Sequence, residues 1–179
     1  MPAIIEAEMA GIRVDIDAAE RAVAALGVVI NEQSLQLFQL AGKAFNVNSS
    51  TDVGKLFRPK QGSDGRWYTA SGCMIPSTPG GKASFSAEAL RDMNDPMAQA
   101  IIDVRSMTKT RDTFLSGHVL SNAVNGRVYP SIHQTKGEDG GTGTGRFSYS
   151  GPAMQQIPSR NKAVAAIVKP IFLPDEGQV

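Results

Sequence analysis

Two arginines and two adjacent glutamines stand at fixed spacing in GTGTGRFSYSGPAMQQIPSR, residues 141–160. Arg146 and Arg160 are permanent cations with planar donor forks. Gln155 and Gln156 each bring a carboxamide donor and acceptor, and Ser148 and Tyr149 add hydroxyls. The glycines let backbone N–H groups come close to a ligand. Such a set suits a polyanion that also presents acceptor edges. A nucleic-acid duplex is one: its minor groove offers purine N3 and pyrimidine O2 at every base pair, so Arg and Gln donors can touch it without reading sequence. On composition alone the stretch also reads as an ordinary polar surface loop, because a lone glycine-rich loop is a weak signal.

The remaining sequence bounds what can position these groups. At 179 residues the chain suits one large domain or two small ones with a buried core. Its net charge is +1, so a basic face must be local. The one cysteine, Cys73, excludes a disulfide framework and a cysteine-based zinc site and fits a reducing cytoplasm. No apolar run reaches about 18 residues, so neither a membrane span nor a membrane partner is expected. The opening MPAIIEAEMAGIRVD lacks the basic flank and cleavage pattern of a signal peptide, and a cytoplasmic location is expected.

Helical signals dominate the first two thirds. Residues 3–10 read as a short helix ended by Gly11, and IRVDID as a brief extended piece. Asp17, with Glu20 three residues later, reads as a capping box for a long helix that ends at Gly42. Its apolar stripe is Val23, Leu26, Ile30, Leu37 and Leu40, narrow enough to pack on one other long helix. Ser49 or Ser50 can cap a short helix, and Ser84 or Ser86 another that runs through Met93. Between them lies a Gly, Pro and Ser-rich region with a possible strand at RWYTA. Asp95–Pro96 starts the second long helix, predicted to run to Gly117. Its apolar face is Met97, Ile101, Val104, Thr108 and Leu115, and its outer face carries Arg105, Lys109 and Arg111. After Asn125–Gly126 the texture changes. RVYPSIHQT alternates like a strand, and AAIVKPIFLP reads as a bent or edge strand. The subdomain boundary is placed near 120–125.

The stretch TGRFSYSGPAMQQIPSR resembles the signature of the family A DNA polymerases, T-G-R-L-S-S followed by D-P-N-L-Q-N-I-P and an Arg. The similarity extends along essentially the whole chain, in the same order. IIEAEMAGIRVD resembles the segment leading into the family's thumb. FNVNSSTDVGKLF resembles the thumb-tip pattern F-N-x-N-S, and STPGGKASFSAEAL the start of the next tip helix. VRSMTKTRDTF resembles the end of the long thumb helix, RVYPSIHQT the piece bearing a His–Gln pair, and IFLPDEG the run before the first catalytic motif. The resemblance implies a mainly α, α+β fold: two long antiparallel thumb helices with a small helical tip, plus the first strands of a palm. It implies a thumb over 1–122 and the beginning of a palm over 123–179.

The same resemblance implies roles. Arg146 matches the arginine that reaches the minor groove at the primer terminus. Gln155 matches the signature glutamine, Gln156 stands where Asn is usual, and Arg160 matches the closing arginine. His133 and Gln134 match the His–Gln pair near the template, with Ser148 in the signature itself. Lys109, Arg111 and Thr113 match thumb-helix residues that face the DNA backbone, and Asn46, Asn48 and Ser49 match the tip. Ala153, Phe147 and Tyr149 depart from the pattern. Residues 136–141, KGEDGG, read as an insertion expected to point away from duplex. Its adjacent acids Glu138 and Asp139 read as solvent-facing rather than as metal ligands. His118, Cys73 and Trp67 receive no chemical role.

Nucleotidyl transfer needs metal ions held by closely placed carboxylates. The family's D-Y-S-x-x-E-L-R and H-D-E motifs are not in this sequence. The expectation is therefore a DNA-gripping thumb and palm-start segment of a DNA-directed DNA polymerase, inactive alone. It would bind primer–template duplex and join the rest of the palm and the fingers, in cis or as a separate chain. Mg2+ is expected for the complete polymerase and none for this chain. The alternative is a stand-alone, non-catalytic duplex-binding module.

Overall fold

In the computed structural model, which describes residues 2–137, 141–159 and 161–177, local capping sets most helix ends. Helix α1 (Pro2–Ala10) and strand β1 (Ile12–Arg13) lead into α2 (Ile16–Ala41). The start of α2 is two residues earlier than a capping box at Asp17 predicts. Asp15 is the cap: its Oδ1 accepts from Ala18 N at 2.8 Å and its carbonyl from Ala19 N at 3.0 Å. The far end closes at Gly42, as expected, in left-handed backbone with φ 69°. Lys43 N donates to Phe38 O at 3.1 Å and Gly42 N to Gln39 O at 3.2 Å, which satisfies the last helical carbonyls. Leu26, Ile30 and Leu37 of the predicted stripe are buried. Leu40 is 68% exposed, because in the final turn it edges an open groove with Leu56, Phe57 and Met97 instead of entering the core.

Ser49 caps α3 (Ser50–Phe57), its Oγ accepting from Asp52 N at 3.2 Å. Strands β2 (Lys60–Gln61), β3 (Trp67–Tyr68) and β4 (Met74–Ile75) form an antiparallel sheet in that order, with Tyr68 opposite both Lys60 and Met74. Ser86 caps α4 (Ala87–Asp92) through Ala89 N at 3.2 Å. Asp95 caps α5 (Pro96–Lys109), its Oδ1 accepting from Met97 N at 2.8 Å and Ala98 N at 3.1 Å. The long helices α2 and α5 pack together in a mainly helical α+β fold. Phe57 and Phe85 stack in the same core with ring centroids 5.9 Å apart.

The second long helix does not stay α-helical to Gly117. From Thr110 to Leu120 the backbone is a π-helix. Its buried side chains explain the change of period: Thr110 and Leu115, and Phe114 and Val119, are each five apart. Bonds from i to i+5 bring such pairs to one face, where an α-helix would splay them. Beyond it, β5 (Ala123–Val124) and β6 (Arg127–Val128) are joined by Asn125 and Gly126, at φ 51° and 74°. Two successive left-handed residues make the tight turn that suits strand twist. The sheet order is β1-β6-β5.

Two sequence expectations fail after this hairpin. RVYPSIHQT is two strands, not one: β6 ends before Pro130, which has no N–H to give a ladder, and β7 (Ser131–His133) pairs with β8 (Ser148–Ser150). AAIVKPIFLP is helical through Ile171, and only its end is extended, where Phe172 bridges Val14. Asn161 Oδ1 accepts from Val164 N at 3.2 Å, and α6 (Lys162–Val168) runs into a 3-10 turn at Lys169–Ile171. Val164, Ala165 and Val168 are buried at helical spacing, and α6 lies against the π-helical segment. A short apolar run fits strand or helix equally, and burial of one helical face decided it. The elements group into two compact units, Val28–Met107 and Met1–Gly27 with Thr108–Val179.

Candidate nucleic-acid interface

The β7–β8 pair organises the signature stretch. His133 lies opposite Ser148, Ile132 opposite Tyr149 and Ser131 opposite Ser150. His133 Nε2 and Ser150 Oγ are 2.6 Å apart, so the imidazole is tied to the ribbon's end. Helix α1 anchors the ribbon from the other side, where Ile132 N donates to Glu8 Oε1 at 2.6 Å. Ser148 Oγ is buried with no hydrogen-bond partner among the described residues, so this hydroxyl is not presented at the surface. Gln134 follows β7 in a bend and is half-buried.

Arg146 precedes β8 and is exposed, with no ion pair among the described residues. Its carbonyl accepts from Thr142 Oγ1 at 2.9 Å. After β8 the chain turns through Gly151–Pro152 into a 3-10 turn at Met154–Gln156. The neighbouring glutamines then do different things. Gln155 Oε1 accepts from Tyr149 N at 3.2 Å, and its Nε2 donates to Phe147 O. Gln156 is exposed, and its carboxamide has no partner among the described residues. Arg160, and the acids Glu138 and Asp139 of the insertion, lie outside the described residues.

The helical candidates are less uniform than an outer cationic face. Lys109 is exposed, its Nζ 5.6 Å from the centroid of the Phe114 ring. Arg111 is engaged by its neighbour: Nε lies 2.6 Å from Asp112 Oδ1 and Nη2 3.1 Å from Oδ2. That carboxylate favours the charged guanidinium further and offsets its field. Thr113 is half-buried on the π-helical segment. Arg105 is not an outer-face residue at all. Its Nε donates to Val47 O at 2.8 Å and its Nη1 to Phe85 O at 2.7 Å, and burial disfavours its charged form.

Arg105 therefore ties together the tip loops that lead into α3 and α4. In the first of these, Asn46 and Asn48 are exposed, and Asn46 Oδ1 accepts from Asn48 N at 2.9 Å. Ser49 Oγ is spent on its cap, and Lys55 3.0 Å from Asp52 holds that carboxyl below the usual range. Asn46, Asn48 and Ser49 belong to the Val28–Met107 unit, whereas all the other candidates belong to the second unit. A further arginine, unassigned from sequence, secures the C-terminal part. Arg127 holds Asp175 through Nη1 and Nη2 at 2.7 and 2.8 Å and donates from Nε to Ala10 O at 2.7 Å. Nothing local in the sequence signals either contact.

The sequence model of DNA polymerase family A matches residues 17–179. The chain belongs to this family. It is 51% identical, over its full length, to the DNA polymerase DpoZ of Vibrio phage phiVC8, of which it covers 28%. It is 30% identical, again over its full length, to DNA polymerase I of Caldicellulosiruptor bescii, of which it covers 20%. The chain thus spans under a third of the length of these family A relatives. The fold resembles a solved structure described as the POL domain of Pol1 from M. smegmatis in complex with DNA primer-template and dNTP. The TM-score is 0.74 at 23% identity, covering 95% of this chain and 28% of that one. Among the described residues no group of three or more His, Cys, Asp or Glu side chains could hold a metal ion. These described residues do not fit the Mg2+ that family A chemistry implies. Among the described residues no helix is long and apolar enough to cross a membrane.

Proposed function

We propose that this chain is the thumb, over 1–122, and the beginning of the palm, over 123–179, of a family A DNA-directed DNA polymerase. Its work is to grip primer–template duplex while nucleotidyl transfer proceeds on carboxylates and Mg2+ supplied elsewhere in the polymerase, in the cytoplasm of a bacterial or phage-infected cell. The observation that carries this reading is Arg146 on the T-G-R signature, an exposed guanidinium with no ion pair among the described residues, in the same stretch as the exposed carboxamide of Gln156. Arg146 donates to minor-groove acceptors at the primer end, and Gln156 adds a neutral donor beside it. His133 and Gln134 lie toward the template. Lys109, Arg111 and Thr113 of the thumb helix, and Asn46, Asn48 and Ser49 of the tip, meet the phosphate backbone, which sets register without reading sequence.

Binding of a fluorescently labelled primer–template duplex, titrated at several salt concentrations, tests the reading. The affinity is expected to fall steeply with salt and to vary little with sequence. Arg146→Ala should weaken it by about tenfold, the effect of losing roughly 1.4 kcal/mol. Equal binding by Arg146→Ala and the parent at every salt concentration would refute the role of Arg146.

A further inference from the structure

Gln155 looks like a second DNA contact until its partners are counted. Its Oε1 takes the N–H of Tyr149 and its Nε2 gives to the carbonyl of Phe147. Those two backbone groups lie on the edge of β8 away from β7, whose residues 131–133 pair with 150–148. They are the carbonyl and the N–H, two residues apart, that a single residue of a parallel neighbouring strand would engage. One side-chain amide therefore does the work of a missing strand. An unpaired strand edge keeps free N–H and C=O groups and little reason to hold one course. Here the edge next to Arg146 is occupied, and the Arg146 carbonyl is held from the other side by the Thr142 hydroxyl. The backbone from the Arg146 carbonyl to the Tyr149 N–H is held, while the Arg146 side chain is exposed and has no ion pair among the described residues.

We propose that Gln155 is a positioning residue, whose carboxamide fixes the 147–149 backbone so that the Arg146 guanidinium is held in the direction from which it meets duplex. This rests on the duplex-binding reading above. Both ends of the Gln155 amide are engaged, so the amide of the pair without a partner among the described residues is that of Gln156. An arginine on a loose backbone would have to be ordered on binding, and that entropy is subtracted from the affinity. Gln155 therefore acts through Arg146, and the two residues form one energetic unit.

A double-mutant cycle with primer–template binding as the readout tests this. The parent, Arg146→Ala, Gln155→Ala and the double variant are compared by fluorescence anisotropy, with circular dichroism as a check on folding. Gln155→Ala is expected to weaken binding about three- to tenfold in the parent and less than twofold in the Arg146→Ala background. Thr142→Val, which removes the other hold on the Arg146 backbone, should show the same dependence on Arg146. Amide exchange at Tyr149 should quicken in Gln155→Ala and stay unchanged in Arg146→Ala. If Arg146→Ala weakens binding but Gln155→Ala has no effect, or multiplies fully with it, the positioning role is overturned. Unchanged exchange at Tyr149 overturns it as well. A parent that ignores duplex, or an Arg146→Ala variant that binds like the parent, overturns the duplex reading and the positioning role with it. Exchange at Tyr149 then still reports whether the brace exists.

Discussion

Replacing Arg105 with methionine keeps the aliphatic stem and removes the guanidinium that joins two loops. The fork donates at 2.8 Å to Val47 O and at 2.7 Å to Phe85 O. Both acceptors belong to buried residues, Val47 at 8% and Phe85 at 6% exposure, so water does not freely replace the lost donors. A hydrogen bond from a charged donor contributes about 1.5–3 kcal/mol. Two at the lower end sum to about 3 kcal/mol. Methionine also removes the cost of partly burying a cation, a cost visible in the downward shift of Arg105, and that offsets part of the loss. A net destabilisation of about 2 kcal/mol follows. With a urea dependence of about 2 kcal/mol per molar, the unfolding midpoint falls by about 1 M. The assay is urea unfolding followed by tryptophan fluorescence. Trp67 is the chain's single tryptophan and lies in the same unit as Arg105. Arg105→Lys keeps the charge but not the fork, and should recover about half of the shift. A midpoint for Arg105→Met within about 0.2 M of the parent would show that the fork adds nothing and that the tip loops hold themselves.

Two more predictions concern the second unit. Gly11 has φ 62°, and a Cβ there would lie 2.6 Å from Tyr129 Cδ1 and 2.8 Å from the Val128 carbonyl, so Gly11→Ala should cost more than about 1 kcal/mol by thermal unfolding. A melting temperature equal to the parent's would show that neither the left-handed backbone nor the crowding by Tyr129 and the Val128 carbonyl carries a cost. His118 Nε2 is buried without a hydrogen-bond partner among the described residues, and burial holds the imidazole below the ordinary histidine value. The unfolded chain therefore binds a proton at about pH 6.5 that the folded chain refuses. Stability should fall as pH drops through about 6.5, and this contribution levels off below the folded pKa. His118→Gln should flatten that dependence in circular dichroism melts between about pH 7.5 and pH 5, and an unchanged slope would assign it to other groups.

What the sequence determined lies within a few residues of itself. The left-handed stop at Gly42 and the caps of Ser49, Ser86 and Asp95 were legible because each bond spans a few neighbours. The family was legible too, since its motifs survive as residue types in a fixed order. Tertiary structure decided the rest. The cap of α2 moved to Asp15, because competing acids two residues apart look alike in sequence. The helix after Lys109 became a π-helix because its buried residues recur every five positions. AAIVKPI became helical because one face of its helix found the π-helical segment. The largest reassignments fell on polar side chains with distant partners. Arg105 was placed on the outer face of its helix, and carbonyls 58 and 20 residues away claimed its fork. For Gln155, expected as a DNA contact, the sequence alone did not show that the edge of β8 engages both ends of its amide. A donor's type is written in the sequence, but its acceptor is chosen by whatever the folded chain brings within hydrogen-bonding distance.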